Sequence, residues 1–400
     1  LKVLYRLNKS GYDAYLVGGA VRDLLLNLHP KDYDIATNAT PNDLKKLFRN
    51  CRLIGKRFRL AHIHFGKEII EVATFRGEGK AKHNDKGMIT RDNTYGTLTE
   101  DAFRRDLTIN AMYYNIDDFS IVDLADGMSD IEDKIIRIMG DPIKRYQEDP
   151  VRMLRVIRLA AKLQFSIEDK TAKPIPSMAH LLGPVSNSRL FDETLKLFHK
   201  GAAFDTFCLL EEYHLLHELF PATLIHLGKD QQVRDFIYQA LQNTDERIKQ
   251  GKTVTPAFLF SALLWHPMLA KVEQLESEGL PTYQAHYMAM SQALTQQVRR
   301  TSIPKFFSSA IKDIWQLQFH LTRKLDNRAF KTLRHPRFRA AYDFLLIRAD
   351  IYPEFRQRAD WWTDFQFADD NKRNEMIPDS TPPPRKPRGG KKPSSSTPEN

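Results

Sequence analysis

Gly18-Gly19-Ala20-Val21-Arg22-Asp23-Leu24-Leu25, followed by Lys31-Asp32-Tyr33-Asp34-Ile35, decides how the chain is read. The apolar tetrad Ala14-Tyr15-Leu16-Val17 ahead of it reads as a short strand, and Ala20 to Leu28 has helical character. Gly18-Gly19 therefore sits at a strand-to-helix turn. Glycine lets a backbone approach a phosphate closely and offers N–H donors to it, and the helix that begins there adds its positive end. Arg22 lies one turn in and is placed to reach a triphosphate. Asp32 to Ala36 reads as extended, which puts Asp32 and Asp34 on one face and turns Tyr33 the other way, into the core. Two neighbouring carboxylates repel and need a cation, and magnesium takes oxygen ligands while keeping substrate phosphates in its shell. Two such ions would activate an attacking hydroxyl and stabilise a leaving pyrophosphate.

Each piece alone is ordinary. A Gly-Gly pair is usually only a turn, and an Asp-x-Asp is usually surface or capping. Their order, within seventeen residues, is what carries weight. The stretch is not a Walker loop, because no G-x-x-x-x-G-K-[ST] occurs, and the third glycine of a dinucleotide fingerprint is absent.

Outward from this stretch, the first 140 residues read as α/β. Thr40-Pro41 is an N-cap followed by proline at the first helical position, opening a helix to about Arg49. Arg52 to Ile54, His62 to Phe65 and Glu68 to Phe75 read as strands, Gly77 to Asn93 as a mobile loop, Asp101 to Asn115 as helix and Ile121 to Leu124 as strand. Beyond Gly140 the pattern turns helical, with Val151, Leu154, Ile157 and Ala161 at helical spacing between Pro142 and Leu163. The division expected is a head over 1–140, a helical neck over 141–200, a helical body over 201–298, a basic helical leg over 299–370 and a disordered basic tail over 371–400. The net charge of +10 is concentrated late, with 14 Lys/Arg against 5 Asp/Glu from Arg299 to Arg358 and 7 against 3 in the last thirty residues. That asymmetry points to a polyanionic partner gripped by the C-terminal part. Only Cys51 and Cys208 are present, which suits buried thiols in a reducing compartment, and no Cys/His cluster has zinc spacing. No signal peptide or membrane-length apolar run is seen, so a cytoplasmic protein without integral membrane insertion is expected. The chain opens at Leu1 rather than Met, and a short preceding piece is expected.

Gly-Gly-x-Val-Arg-Asp-x-Leu-Leu followed by Asp-x-Asp resembles the nucleotidyltransferase superfamily of DNA polymerase β, in the group of bacterial poly(A) polymerases and CCA-adding enzymes. Arg104-Arg105-Asp106-Leu107-Thr108-Ile109-Asn110-Ala111 resembles that family's Arg-Arg-Asp motif, and Glu148-Asp149-Pro150-Val151-Arg152 its base-recognition motif. One departure is Asn27, where members often have glycine. Leu53 to His62, Asp313 to Gln318, His335 to Asp343 and the tail at Arg385 to Lys392 look like the poly(A) polymerases rather than their CCA-adding relatives. The resemblance implies an α+β fold: a polymerase-β-like head with a small mixed sheet, then an all-α neck, body and leg.

It also implies a reaction, the template-independent transfer of AMP from ATP to the 3′-hydroxyl of mRNA and other transcripts. Asp32 and Asp34 would hold two Mg²⁺. Asp106 is the favoured third acidic residue, acting on the nucleotide, while Glu71 on a neighbouring strand is the alternative on the metal side; a partner for a nearby Arg is its plain structural role, and a salt bridge with Arg104 or Arg105 is that of Asp106. Gly18, Gly19, Arg22, Arg105, Asp149, Arg152, Arg155 and Arg158 are the nucleotide-binding set, with Asp149 and Arg152 at i and i+3 on one helical face. Trp315, Phe319 and Phe338 either stack on RNA or, as their helical spacing favours, pack in a core. A monomer is expected, with RNA-decay or RNA-chaperone proteins as possible company. The rival readings are a CCA-adding tRNA enzyme and a non-catalytic RNA-binding protein.

Overall fold

The computed structural model describes residues 1–55, 59–66, 68–77, 94–323 and 326–377, and the backbone of 82–83 and 89–91. Lys56, Arg57 and Phe58 of the family-discriminating stretch, most of the expected 77–93 loop and the basic tail from 378 onward lie outside these residues. The chain divides into two compact units, Leu1–Ser308 and Ser309–Asn400. Among the described residues no helix is long and apolar enough to cross a membrane.

The first unit opens with α1 (Lys2–Lys9), β1 (Ala14–Val17), α2 (Gly19–Leu25), β2 (Asp34–Thr37), α3 (Pro41–Leu47), β3 (Cys51–Ile54), β4 (Leu60–Phe65) and β5 (Glu68–Thr74). A short ribbon of β6 (Lys82–His83) and β7 (Ile89–Arg91) follows, then α4 (Leu98–Arg104), a 3-10 turn at Thr108–Asn110, β8 (Met112–Asn115) and β9 (Ile121–Asp123). The main sheet runs β3-β4-β5-β2-β1-β8-β9, and only the β2–β5 pair within it is parallel. Alternation along the strands buries both faces. Leu16, Ile35, Val72, Ile63 and Met112 join Val3, Leu4 and Leu7 of α1 in one core, while Val17, Ala36, Phe75 and Tyr113 meet Ala102 of α4 in another.

The α3 start is as read, a Thr40–Asp43 capping box with proline in the first turn. Asn27 takes φ +55, so the position where relatives often have glycine keeps a left-handed conformation, which asparagine tolerates. The helix expected over Asp101 to Asn115 forms only as far as Arg104, as the end of α4. Asp106 caps its neighbour's amide (Leu107 N–H to Oδ1, 2.9 Å), ending the helical run, and Met112-Tyr113-Tyr114 enters the middle of the sheet instead. Past the end of β5 the backbone on either side of residues 78–93 is tied together, Gly77 N–H donating to Thr94 O (3.0 Å), Gly96 N–H to Phe75 O (2.9 Å) and Arg104 Nη1 to Gly77 O (2.5 Å).

After α5 (Gly127–Glu132) and a two-residue parallel pairing of β10 (Ile135–Ile136) with β11 (Ser166–Ile167), the chain is helical, beginning with α6 (Pro142–Glu148) and α7 (Val151–Leu163). Pro150 separates α6 from α7. The residue before a proline is driven to extended backbone, and Asp149 has φ −150° and ψ 95°. Asp149 therefore stands before the helix that carries Arg152, not on a shared helical face with it. Nearly all of α7 is buried except a stripe of Arg152, Arg155, Arg158 and Lys162. In the second unit the helices Phe338–Ile351 and Arg356–Phe367 close a core of Leu317, Leu321, Phe338, Tyr342, Leu345, Trp362 and Phe365. Trp315 and Phe338 are buried and Phe319 half-buried, so core packing accounts for the first two.

A β-carbon at Gly127 would lie 2.5 Å from the carbonyl oxygen of Thr108. Gly127→Ala should cost about 1–3 kcal/mol by overpacking against the turn that follows Asp106, read by urea denaturation. Unchanged stability would show that the turn can move.

Candidate active site

Strand register assembles one row of side chains. Tyr113 of β8 pairs with Val17 of β1, Val17 with Asp34 of β2, Asp34 with Glu71 of β5, and Glu71 with His62 of β4. Paired residues share a face. Asp34 and Glu71 are thus neighbours, with Asp32 just ahead of β2. Burial, then Glu71, raise the Asp34 carboxyl above its ordinary range, with Asp32 adding to this and Arg105 pulling against it. Glu71 Oε1 lies 3.2 Å from His62 Nε2, so its partner is a histidine, not the arginine expected. Tyr33 turns to the opposite, apolar side as read, where it lines a cavity of about 820 Å³ with Leu16, Val21, Ile35 and Ile70 but stays 42% exposed.

Beside this row, Val17 leads into the glycine turn. Gly18 has φ 73° and ψ −133°, a conformation that only glycine adopts readily. Two guanidinium groups lie against the turn: a β-carbon on Gly18 would be 3.4 Å from Arg105 Nη1, and one on Gly19 3.4 Å from Arg22 Nη2. Arg22 differs from expectation. It is 5% exposed, and it donates from Nε (2.9 Å) and Nη2 (2.5 Å) to Asp23 Oδ1 and from Nη1 (2.6 Å) to Asn110 Oδ1. It braces the turn from below. Arg105 is fixed by Asp101 (2.9 Å) and the Tyr113 hydroxyl (2.8 Å), which itself donates to Asp101 (2.7 Å).

The ion pair of Asp106 is with Arg155 of α7, while Arg105 acts on it more weakly. Its Oδ2 lies 3.0 Å from Arg155 Nε, an ion pair short of an aligned hydrogen bond, and its Oδ1 accepts from Leu107 N–H and from Asn110 Nδ2 (3.2 Å). Burial would push this carboxyl up, but Arg155, Asn110 and the Leu107 amide hold it below its usual value. The α7 stripe meets carboxylates elsewhere too. Arg152 Nη1 bonds Glu148 (2.7 Å), and Lys162 Nζ lies 3.5 Å from Asp23 Oδ2. Arg158 Nε is buried with no hydrogen-bond partner, and burial and then Arg155 weaken its hold on a proton. Asp149 binds Arg189 of the helix Asn187–Phe198 (2.7 Å). Arg145 of α6 donates to the carbonyls of Arg104 (2.8 Å) and Arg105 (2.5 Å), tying that helix to the motif.

The structure therefore brings Asp34 and Glu71, with Asp32 just ahead of β2, next to the strand that leads into the Gly18-Gly19 turn, sets Arg22 and Arg105 against that turn, and links Asp106 and Arg155 to Arg22 through Asn110. Asp149 and Arg152 have other partners, Arg189 and Glu148. Sequence reading missed Asp23, Asp101, Asn110, Tyr113, Arg145 and Arg189 as partners. Asp23 and Asn110 lie inside the motifs already singled out, and Asp101 is one helical turn from Arg105. Arg145 and Arg189 carry no local signal, because their partners are 40 residues or more away. Oxygen-only donors and mutually repelling carboxylates suit magnesium. Among the described residues no three His, Cys, Asp or Glu side chains stand close enough to hold an ion unaided.

Three family models match this chain: the poly A polymerase head domain over residues 14–137, the probable RNA and SrmB-binding site of polymerase A over 164–225, and the polymerase A arginine-rich C-terminus over 278–396. Poly(A) polymerase I of Salmonella typhi is 48% identical over 96% of this chain and 86% of its own length, and that of Haemophilus influenzae 44% over 94% and 86%. The CCA-adding enzyme of Lactobacillus helveticus is 39% identical over 52% of each chain. The solved structure of the Bacillus stearothermophilus CCA-adding enzyme in complex with CTP superposes with a TM-score of 0.61 at 25% identity, covering 89% of this chain and 80% of that one.

A carboxylate whose folded pKa is depressed stabilises the protein above its unfolded value, and that contribution is lost as pH falls through the folded value. Asp106→Asn should therefore flatten the acid limb of stability against pH, below the ordinary aspartate value of about 3.9. The check is the unfolding midpoint of both proteins through that range. Parallel curves would mean that Asp106 is not held by its neighbours in solution.

Proposed function

The chain belongs to the bacterial poly(A) polymerase family, and we propose that it extends RNA 3′ ends with AMP from ATP, without a template and with release of pyrophosphate. The observation that carries this reading is the placing of Asp32, Asp34 and Glu71 against a glycine turn with cations behind it. Likeness to poly(A) polymerase I along nearly the whole chain favours it over the CCA-adding reading, whose relatives by sequence match about half.

Asp32 and Asp34 would hold two Mg²⁺, with Glu71 beside Asp34 as the third carboxylate on the metal side, since Asp106 is committed to Arg155 and Asn110. Magnesium bound there would supply charge neutralisation for the attacking RNA 3′-hydroxyl and the departing pyrophosphate. The Gly18 and Gly19 amides receive the triphosphate, braced by Arg22 and Arg105, and Arg158, whose buried Nε has no hydrogen-bond partner, adds positive charge to the site. Asp106 acts from the nucleotide side with Arg155 behind it. Asp149 with Arg189, and Arg152 with Glu148, offer the donors and acceptors that choose the base, so selection comes from protein and not from a template. The assigned parts are a catalytic head over 1–140, a nucleotide-recognising neck over 141–200, a helical body over 201–298, a basic leg over 299–370 whose Lys and Arg hold RNA phosphates, and a basic tail over 371–400, in a cytoplasmic enzyme.

The test is extension of a labelled generic RNA with Mg²⁺ and each nucleoside triphosphate separately. ATP alone should give a long ladder. Asp32→Asn or Asp34→Asn should cut extension by more than the roughly 100-fold that loss of a metal's outer-shell support costs, with helical content unchanged. Addition of C, C and A to truncated tRNA alone would establish the CCA-adding reading, and extension surviving the double change would remove the carboxylates from the mechanism.

A further inference from the structure

Asn110 lies where two segments of the site meet, and its amide faces a different partner on each side. Its oxygen accepts from Arg22 Nη1 at 2.6 Å and its nitrogen donates to Asp106 Oδ1 at 3.2 Å. Arginine can only donate and an ionised carboxylate can only accept, so both neighbours force the same orientation of the amide. Outward from Asn110 the contacts continue in both directions. Arg22 leads to Asp23 and Asp23 to Lys162; Asp106 leads to Arg155. Lys162 and Arg155 belong to one helix, α7, two turns apart. The contacts thus form a closed ring through the helix after the glycine turn, the Arg104-to-Asn110 segment and α7. Asn110 is its one uncharged member, and the one that both accepts and donates.

We propose that Asn110 is a positioning residue for nucleotidyl transfer, fixing the separation between the phosphate-binding glycine turn, through Arg22, and the nucleotide-side carboxylate, through Asp106. This rests on the reading of the site as a nucleotidyltransferase centre. With Asn110 in place Arg22 is locked against Gly19 and Asp106 is locked against Arg155. Without it, a buried guanidinium and a buried carboxylate each lose a partner and are free to collapse on each other, pulling the turn out of register with the nucleotide.

The experiment uses the full chain with ATP and RNA, comparing Asn110→Ala and Asn110→Asp with the unaltered protein and with Asp32→Asn/Asp34→Asn. Asn110→Ala should lower kcat/KM for ATP roughly tenfold to a hundredfold while leaving KM for RNA unchanged. Asn110→Asp keeps shape and the bond to Arg22 but sets a second carboxylate against Asp106. Like charge raises the pKa of such a pair, and a shared proton restores the missing donor as pH falls. Arg155, Arg105, Arg145 and Arg158 face Asp106, Arg22 faces position 110 and Glu193 faces Arg155 and Arg158, so the cations set the recovery on the acid side of neutrality. Activity of Asn110→Asp relative to the unaltered protein should therefore climb toward acid pH, whereas the Asn110→Ala ratio should stay level. Both variants within about twofold of the unaltered kcat/KM, or level ratios for both, would overturn the proposal. If Asn110→Ala fails to fold by thermal unfolding, the isosteric Asn110→Asp profile alone decides. Extension surviving in Asp32→Asn/Asp34→Asn would refute the site assignment itself, an outcome separate from the Asn110 ratios.

Discussion

Asp34 stands beside Glu71 because β2 and β5 run parallel and in register, and two carboxylates so placed repel each other. The rest of the head is arranged around that repulsion. Arg105 sits close enough to relieve part of it, and is itself held by Asp101 and Tyr113. The Gly18-Gly19 turn lies on the next strand over, since Val17 pairs with Asp34, so the phosphate-facing amides and the carboxylates are set side by side by backbone hydrogen bonds alone. Rigid strands, not loops, thus fix the distance between the two functional groups.

The helical part answers the head with charge of the opposite sign. α7 offers Arg152, Arg155, Arg158 and Lys162 along one stripe of an otherwise buried helix; Asp106 and Asp23 of the head meet Arg155 and Lys162, while Glu148 of α6 meets Arg152. Each pair sets a largely buried side chain against a part-exposed one, and such pairs gain little net stability, because desolvation offsets much of the attraction. What they supply is geometry. Breaking one leaves a buried charge alone, so the head and α7 hold one arrangement.

The chemistry was legible early because its residues are local. Gly18, Gly19, Asp32 and Asp34 lie close in sequence, and although β2 begins only at Asp34, Asp32 two residues ahead is near enough to act on its carboxyl. What could not be read is set by distant pairings. Glu71 acquires its place from a parallel register with a strand 37 positions earlier, and Asp149 finds Arg189 across 40 residues. Two errors were local. The pre-proline position of Asp149 was visible in the sequence and forbade the shared helical face, and the β-formers Met112-Tyr113-Tyr114 outweighed the helical pattern read through them. Arg22 was correctly singled out as part of the turn but given too long a reach, since its partners Asp23 and Asn110 hold it below.

The ties at Gly77, Thr94, Phe75 and Gly96 have a consequence for how such a chain can vary over time. Both ends of the intervening stretch are anchored to backbone within the head, and Arg104, one residue from Arg105, holds one of them. Closing a longer loop between fixed ends costs little extra entropy. The stretch between these anchors can therefore change in length at little cost to the carboxylates and the glycine turn, which are held by contacts outside it.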